Sequence, residues 1–236
     1  MNVALIVAGG SGERSGLDGG KQLATVAGAP VLSHTLAAFH ACESVDAIVV
    51  VVHPDRVDEY RARAVDPLAS PKVLAVVGGG PTRQTSVSAG LAVVPDAARV
   101  IAIHDGARPL LDPDVLAAAI HATASDDAID GVVVGHPSYD TLKLVDETGR
   151  IIGTVDRTVF WAAQTPQVFT APVLREAYAR AEALGFEGTD DASLVEAVGG
   201  RLRMLEGPRD NIKVTVPGDL PIVEQLLTAR AGGRGT

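Results

Sequence analysis

The chain has 236 residues, of which 47% are hydrophobic and only 3% aromatic, and its formal net charge is −9. This length suits one large domain with an aliphatic core, and an acidic balance without a Lys/Arg-rich block argues against nucleic acid or an anionic membrane surface as a partner. The single cysteine, Cys42, excludes an internal disulfide. No apolar run approaches the roughly 20 residues that span a bilayer, and the N-terminus lacks a signal-peptide pattern, so we expect a cytoplasmic protein.

Short β-branched segments alternate with Ala- and Leu-rich segments of helical period over the first 135 positions. The predicted strands are 3–7, 46–52, 72–77, 99–104 and 130–135, and the predicted helices are 31–41, 55–65, 83–93 and 113–124. This alternation is typical of an α/β fold in which helices cover both faces of a parallel sheet. Ligands of such folds bind at the carboxyl ends of the strands.

A glycine-rich loop follows the first predicted strand. It reads Ala8-Gly9-Gly10-Ser11-Gly12-Glu13-Arg14 and continues to Lys21. Backbone N–H groups and two cations in such a loop favour phosphate binding. A P-loop fits poorly because Gln22 stands where Ser or Thr would follow the lysine, and the dinucleotide fingerprint fits poorly because its third glycine, Gly16, comes one place late. We therefore expect a nucleoside triphosphate, with a dinucleotide as the open alternative.

Two further loops follow the third and fourth predicted strands. In the first, Gly79 and Gly80 allow the backbone to approach a planar base closely, and Ser86 either binds the ligand or caps the next helix. The second reads His104-Asp105-Gly106-Ala107-Arg108-Pro109, where Asp105 suits Mg²⁺ bound through triphosphate oxygens or else forms a salt bridge with Arg108. All three loops are predicted to meet at one edge of the sheet.

The last third departs from this alternation. Residues 137–159 have two β-like runs around a turn at 147–149 and predict a hairpin that serves as an arm. The segment 164–167 is too short and polar for the core, and 189–192 is typical of a helix N-terminus. Lys213 is predicted to lie within a short strand. We expect one domain over residues 1–230, followed by a flexible glycine-rich tail at 231–236.

Taken together, these segments resemble the 2-C-methyl-D-erythritol 4-phosphate cytidylyltransferase family. The motifs that carry the resemblance are 8–14, Lys21-Gln22, 79–86, 104–109, Asp140-Thr141-Leu142-Lys143, Thr154-Val155-Asp156-Arg157, Gln164-Thr165-Pro166-Gln167 and Asn211-Ile212-Lys213-Val214-Thr215. The resemblance implies a three-layer αβα Rossmann-like nucleotidyltransferase with a mostly parallel sheet and a protruding β-arm. It also implies a homodimer that exchanges arms, with CTP, Mg²⁺ and 2-C-methyl-D-erythritol 4-phosphate as ligands.

The resemblance further implies roles for individual residues. The catalytic residues would be Arg14, Lys21 and Lys213. The nucleotide would be bound by Ala8, Gly9, Gly10, Ser11, Gly12, Gly79, Gly80, Ser86 and Asp105, and Asp105 would also hold the metal. The acceptor would be bound by Asp105, Arg108, Thr165 and Lys213, with Thr141 and Arg157 reaching the neighbouring subunit's site. Gly20 departs from the family, which usually has Pro before this lysine, so we expect a loop that is more mobile before ligand binds.

The implied reaction is in-line attack by the phosphate of the acceptor on the α-phosphorus of CTP, with pyrophosphate as the leaving group. A phosphate monoester is already anionic near neutral pH, so the protein needs to align and neutralise charge and needs no general base. Another polyol phosphate, such as ribitol 5-phosphate, is the alternative acceptor. An NAD-dependent dehydrogenase and a nucleotide sensor without turnover are the alternatives of other classes.

Overall fold

The computed structural model describes residues 1–10 and 20–233, so three predicted loop residues, Ser11, Gly12 and Arg14, lie outside the described residues. The strands are β1 (Asn2–Ala8), β2 (Thr25–Val26), β3 (Ala29–Pro30), β4 (Ala47–Val52), β5 (Val73–Gly78), β6 (Val100–Asp105), β7 (Gly131–Pro137), β8 (Lys143–Val145), β9 (Ile151–Thr154), β10 (Trp161–Thr170) and β11 (Leu202–Glu206). The α-helices are α1 (Val31–Ala41), α2 (Val57–Tyr60), α3 (Arg83–Leu91), α4 (Pro113–Ser125), α5 (Ala171–Leu184), α6 (Asp191–Ala197) and α7 (Asp219–Gly233).

Seven strands form the central sheet in the order β11-β7-β10-β6-β1-β4-β5. Strands β1, β4, β5 and β6 run parallel to one another, β11 runs parallel to β7, and β10 runs antiparallel to both of its neighbours. Strand order reverses beside β1, between β6 and β4, which is where ligands bind in open α/β sheets. The predicted mostly parallel α/β sheet is confirmed.

The side chains of the central strands alternate between two apolar clusters. Ala4 and Ile6 of β1 pack with α1, α2 and α4 on one face, whereas Val3 and Leu5 pack with α3, α5 and α6 on the other. Both clusters are aliphatic, as the composition predicts, and together they make three layers. Helix α7 covers a third, smaller cluster with Val214 and Leu110, and this cluster carries the segment 211–215.

Three sequence-based expectations about local structure are wrong. The segment 164–167 lies within β10, and Gln164, Thr165 and Gln167 are buried; polar side chains are tolerated there because each forms hydrogen bonds. Lys213 lies in an irregular segment and not in a strand. The predicted helix 55–65 is split into a 3-10 turn (Pro54–Arg56), α2 and a π turn (Arg61–Val65).

Strands β8 and β9 form the predicted hairpin. Its turn is fixed by Asp146, whose Oδ1 accepts hydrogen bonds from the backbone N–H groups of Thr148 and Arg150, and by Gly149 with φ +82°. We call residues 137–159 the arm. None of the helices in the described ranges is long and apolar enough to cross a membrane.

Candidate active site

A cavity of about 900 Å³ opens at the carboxyl ends of β1, β5 and β6. Eight of the predicted site residues line it: Gly9, Gly10, Lys21, Gly79, Gly80, Ser86, Asp105 and Lys213. Ala8 ends β1 and is buried. The cavity thus brings together Lys21 and Lys213, which are far apart in the sequence, whereas the structure does not describe the position of Arg14.

The loop that follows β5 is locked by contacts only glycine permits. The backbone N–H of Gly79 donates to the carbonyl of Val52 at 2.7 Å. A Cβ atom at Gly79 would lie 2.6 Å from the Ser86 Oγ atom and 3.1 Å from Val51 Cγ1. A Cβ at Gly9 would lie 3.2 Å from the same hydroxyl. The loops after β1 and β5 therefore approach each other closely around Ser86.

Ser86 holds this loop, and Thr82 is the residue that caps the helix. The Thr82 side chain accepts a hydrogen bond from the Thr85 backbone N–H in a capping box. The buried Ser86 Oγ accepts from the Gly80 N–H at 3.2 Å and lies 2.9 Å from the Thr82 carbonyl, to which it can donate. The helix-cap alternative for Ser86 is wrong, and its hydroxyl instead fixes the backbone that faces the cavity.

Asp105 lies on the wall of the cavity within a group of three cations. Its Oδ2 is 2.8 Å from Lys213 Nζ and 3.5 Å from Arg108 Nε, and its Oδ1 accepts from Arg83 Nε at 3.2 Å. Burial opposes ionisation, but Arg83, Lys213 and Arg108 outweigh it and hold the pKa of Asp105 well below its usual range. We call these four residues the Asp105 cluster. Its net positive charge suits an anionic ligand.

The segment 211–215 delivers Lys213 to this cluster. Ile212 and Val214 pack into the third apolar cluster, and the Val214 N–H donates to the Ala107 carbonyl at 2.8 Å. Asn211 Nδ2 donates to the Thr165 carbonyl at 2.8 Å and to Gln164 Oε1 at 3.1 Å. The alternating side chains therefore anchor the segment on one side and present Lys213 to Asp105 on the other.

Thr165 holds the backbone of Asp105 through its side-chain hydroxyl. Its Oγ1 accepts from the Asp105 backbone N–H at 3.1 Å and lies 3.0 Å from His104 Nδ1. His104 Nε2 faces the Arg108 carbonyl at 3.2 Å, so Nε2 carries the proton and the threonine hydroxyl donates to Nδ1. Burial lowers the pKa of His104 to about 4. The Thr165 hydroxyl therefore donates one hydrogen bond and accepts another within the protein.

Sequence reasoning assigned no role to Arg83 or Asp191. Arg83 Nη2 donates to Asp191 Oδ2 at 2.7 Å, and Tyr178 Oη donates to Asp191 Oδ1 at 2.5 Å. A signal was present in the sequence, because Arg83 begins a helix without an acidic residue in its first turn. A cation is unfavourable at that end of the helix dipole and implies a carboxylate partner elsewhere in the fold.

The two predicted arm residues lie away from the cavity. Thr141 and Arg157 are both exposed, and neither is among the described residues that line the cavity. Arg157 Nη1 donates to the Tyr139 carbonyl within the arm. The structure therefore does not bring these two residues to the Asp105 cluster of their own subunit.

The donor set at the cavity offers a carboxylate that fits a magnesium–nucleotide complex. Over residues 1–10 and 20–233, no group of three or more His, Cys, Asp or Glu side chains is arranged to hold a metal ion. Mg²⁺ is commonly held by one or two carboxylates together with substrate phosphates. Asp105 offers one such carboxylate, whose oxygens each have a second lone pair.

Gly20 adopts a backbone conformation that proline cannot. Its φ is +81°, whereas proline fixes φ near −65°. The turn before Lys21 therefore differs from one built with the proline that the family usually has there. Lys21 and Gln22 nevertheless line the cavity, so this turn keeps its place at the cavity edge.

Comparison with known proteins supports the family resemblance that the sequence motifs indicate. A sequence profile described as 2-C-methyl-D-erythritol 4-phosphate cytidylyltransferase matches residues 2–229. A protein of that name from Symbiobacterium thermophilum is 44% identical over 227 residues, which cover 96% of this chain and 93% of the relative.

Solved structures give the same answer. A 4-diphosphocytidyl-2C-methyl-D-erythritol synthase from Anaerococcus prevotii superposes with a TM-score of 0.84 at 26% identity and covers 96% of each chain. A 2-C-methyl-D-erythritol 4-phosphate cytidylyltransferase from Thermus thermophilus superposes with a TM-score of 0.74 at 30% identity, covering 96% of this chain and 98% of the other. The Rossmann-like nucleotidyltransferase fold implied by the resemblance is confirmed. With a nearly full-length profile match and this site geometry, the chain belongs to the 2-C-methyl-D-erythritol 4-phosphate cytidylyltransferase family.

Proposed function

We propose that this protein transfers CMP from CTP to 2-C-methyl-D-erythritol 4-phosphate. The new bond joins an acceptor phosphate oxygen to the α-phosphorus of CTP, the bond from that phosphorus to the β-phosphate bridging oxygen breaks, and pyrophosphate leaves. The observation that carries the proposal is one cavity that is lined by an uncharged glycine loop, by Asp105 and Lys213 of the Asp105 cluster, and by Lys21.

The nucleotide half of the site is proposed to read cytosine through backbone and hydroxyl groups. Gly79, Gly80 and Ser86 form a locked, uncharged surface, which suits a base and not a phosphate. Lys21, with Arg14 and the loop Gly9–Gly10, would bind the triphosphate and neutralise the charge that develops at the α-phosphorus. Ala8, Ser11 and Gly12 would complete this loop.

The acceptor half is proposed to centre on the Asp105 cluster. Lys213 and Arg108 would pair with the acceptor phosphate, and the Asp105 carboxylate would accept hydrogen bonds from polyol hydroxyls. We propose that Thr165 serves this half through Asp105, because its hydroxyl already donates to His104 and accepts from the Asp105 backbone.

Magnesium is proposed to arrive with CTP. Asp105 would hold it together with triphosphate oxygens, and the ion would offset the charge of the triphosphate when bound. The residues of this chain would supply alignment: Lys21 on the triphosphate and Lys213 on the attacking phosphate.

A homodimer with exchanged arms is proposed to complete the acceptor half. Arm residues with apolar side chains are strongly exposed: Leu144, Val145, Ile151, Ile152 and Val159. Contiguous exposed apolar surface of this kind marks an interface. An arm that crosses to a second copy would bury it and would bring Thr141 and Arg157 to the neighbouring Asp105 cluster. Residues 1–230 would then act as one catalytic domain, a division supported by the single seven-stranded sheet.

The direct test is pyrophosphate release with CTP and Mg²⁺ and one acceptor at a time. We expect turnover with 2-C-methyl-D-erythritol 4-phosphate to exceed that with ribitol 5-phosphate by at least about tenfold in kcat/KM. The reverse preference would assign a different polyol phosphate. Binding of CTP without pyrophosphate release would indicate a sensor, and NAD binding would indicate a dinucleotide site.

A further inference from the structure

Asp191 carries a buried charge for which the proposed transfer has no role. It is the first residue of α6 and is fully buried. Tyr178 donates to one of its oxygens and Arg83 to the other, so the carboxylate is fully partnered. A buried ion pair is weak evidence for stability, because apolar side chains of similar volume often stabilise such a position as well or better. The buried charge of Asp191 therefore points to a role in function and not in stability alone.

Arg83 connects Asp191 to the candidate active site. Its Nη2 lies 2.7 Å from Asp191 Oδ2, and its Nε lies 3.2 Å from Asp105 Oδ1. Because the guanidinium is planar and rigid, a carboxylate at each of these two nitrogens fixes its orientation. With Oδ1 of Asp105 occupied in this way, Oδ2 is directed to Lys213 at 2.8 Å.

The contact also joins the two halves of the cavity. Arg83 is the first residue of α3 and follows directly on the N-cap residue Thr82 at the end of the glycine loop, which is held by Ser86. The contact between the Arg83 guanidinium and Asp105 lies in the acceptor half of the cavity. A change in the direction of the guanidinium would alter the acceptor half most, because the glycine loop is fixed independently by its own hydrogen bonds.

We infer that Asp191 is a positioning residue for acceptor binding, acting through Arg83 on Asp105. Without the Asp191 charge, the guanidinium loses its anchor and is drawn onto Asp105 alone, where it competes with Lys213 and with polyol hydroxyls for the carboxylate oxygens. Acceptor binding weakens, and nucleotide binding is spared. The inference rests on the proposed function, since only that function provides an acceptor.

The test is the near-isosteric substitution Asp191→Asn. We expect KM for 2-C-methyl-D-erythritol 4-phosphate to rise about tenfold and KM for CTP to change less than about threefold, the scale of losing one charge-assisted hydrogen bond. Equal changes in both KM values, or no change in either, would overturn the inference.

Tyr178→Phe is the matched control, because it removes the other hydrogen bond to the same carboxylate and leaves the charge and Arg83 in place. Its KM for the acceptor should stay within about twofold of the unsubstituted protein. An effect as large as that of Asp191→Asn would show that packing around α6, and not the link to Arg83, matters.

A double-substitution cycle tests whether the effect passes through Arg83. In an Arg83→Met background, adding Asp191→Asn should raise the acceptor KM by less than about twofold; a full tenfold rise there would overturn the inference. If Asp191→Asn alone does not fold, Arg83→Gln is compared with the charge-neutral pair Arg83→Gln with Asp191→Asn. A raised acceptor KM in Arg83→Gln with no further rise in the pair supports the inference, and a further tenfold rise in the pair, or no rise in Arg83→Gln, rejects it.

The unsubstituted protein separates this inference from the proposed function. If it releases no pyrophosphate with CTP and 2-C-methyl-D-erythritol 4-phosphate, the proposed function itself fails. If it is active and Asp191→Asn has unaltered kinetics, only the positioning role fails.

Discussion

The Asp105 cluster and the arm, which are the two regions proposed to bind the acceptor, are built in opposite ways. The Asp105 cluster surrounds a buried carboxylate and, together with Asp191, is assembled from four separate parts of one chain by ion pairs between 2.7 and 3.5 Å long. The arm is a two-stranded hairpin with exposed apolar side chains on its own small sheet. An isolated hairpin is marginally stable in water, so we expect the first region to hold within one subunit and the second to need the proposed partner subunit.

The largest expected effect comes from removing the Lys21 ammonium group from the cavity wall. Lys21→Ala should lower kcat by a factor of about 10² or more, the scale for losing one pre-organised electrostatic group. Lys72→Ala is the matched control, since Lys72 binds the Cys42 carbonyl outside the cavity and its loss should leave kcat unchanged. Steady-state turnover within threefold for Lys21→Ala would contradict the role given to this residue.

The arm can be tested by mixing two inactive variants. Arg157→Ala should lower kcat/KM for the acceptor by at least about tenfold, because a charged hydrogen bond to phosphate is lost. Lys213→Ala should be similarly impaired. If arms are exchanged, randomly mixed subunits of the two variants contain some sites with neither substitution and should regain about a quarter of the original activity.

That recovery has a clear counter-result. If Arg157 serves the site of its own subunit, every site in the mixed dimer carries one substitution and activity stays low. Native mass spectrometry of the mixture before the assay is the control, because it resolves the mixed dimer from the two parent dimers by the different masses of the two substitutions.

A pair of glycine substitutions should separate the rigid glycine loop from the arm. Gly79→Ala places a Cβ 2.6 Å from the Ser86 hydroxyl and should lower the free energy of unfolding by about 2 kcal/mol, the usual scale for overpacking, and raise KM for CTP. Gly153→Ala in the arm meets only Leu144 Cβ at 4.0 Å. Chemical denaturation of both variants measures the difference, and equal losses would contradict the comparison.

The smallest expected effect is a pH dependence that originates beneath Asp105. Burial lowers the pKa of His104 from 6.5 to about 4. Between pH 6.5 and about 4, the imidazole of His104 is protonated in the unfolded chain and neutral in the folded protein. The free energy of unfolding therefore falls as the pH falls. Between about pH 7.5 and 5.5 the loss attributable to His104 should be about 1 kcal/mol.

His104→Gln removes this titration and should flatten the pH dependence of stability by that amount. Denaturation curves at the two pH values, for both proteins, provide the measurement. An identical slope in the two proteins would show that His104 is not the group responsible.

Much of the fold followed from local patterns. Runs such as 46–52 and 99–104 are short, β-branched and bounded by turns, and the structure has β4 and β6 there. The hairpin and the helix start at Asp190 were also predicted correctly. These features depend on neighbours within a few positions, which is why a single sequence reveals them.

The errors arose where distant contacts override local preference. The segment 164–167 looked too polar for a core strand, yet Asn211 and Asp190 from remote parts of the chain satisfy its amides. The sequence gives no indication that Arg83 pairs with Asp191, because the two residues are 108 positions apart. Only the three-dimensional structure reveals this ion pair.

The sequence by itself determined the alternating α/β elements, the aliphatic core and the family, because hydrophobic periodicity and motif order are local and survive without coordinates. Tertiary structure decided which charges meet: that Lys213 reaches Asp105, that Thr165 lies beneath it, that Arg83 is shared with Asp191, and that the arm stands apart from its own cavity. Ion pairing acts over a few ångströms in space and depends on burial, so no spacing along the chain could have fixed these partners.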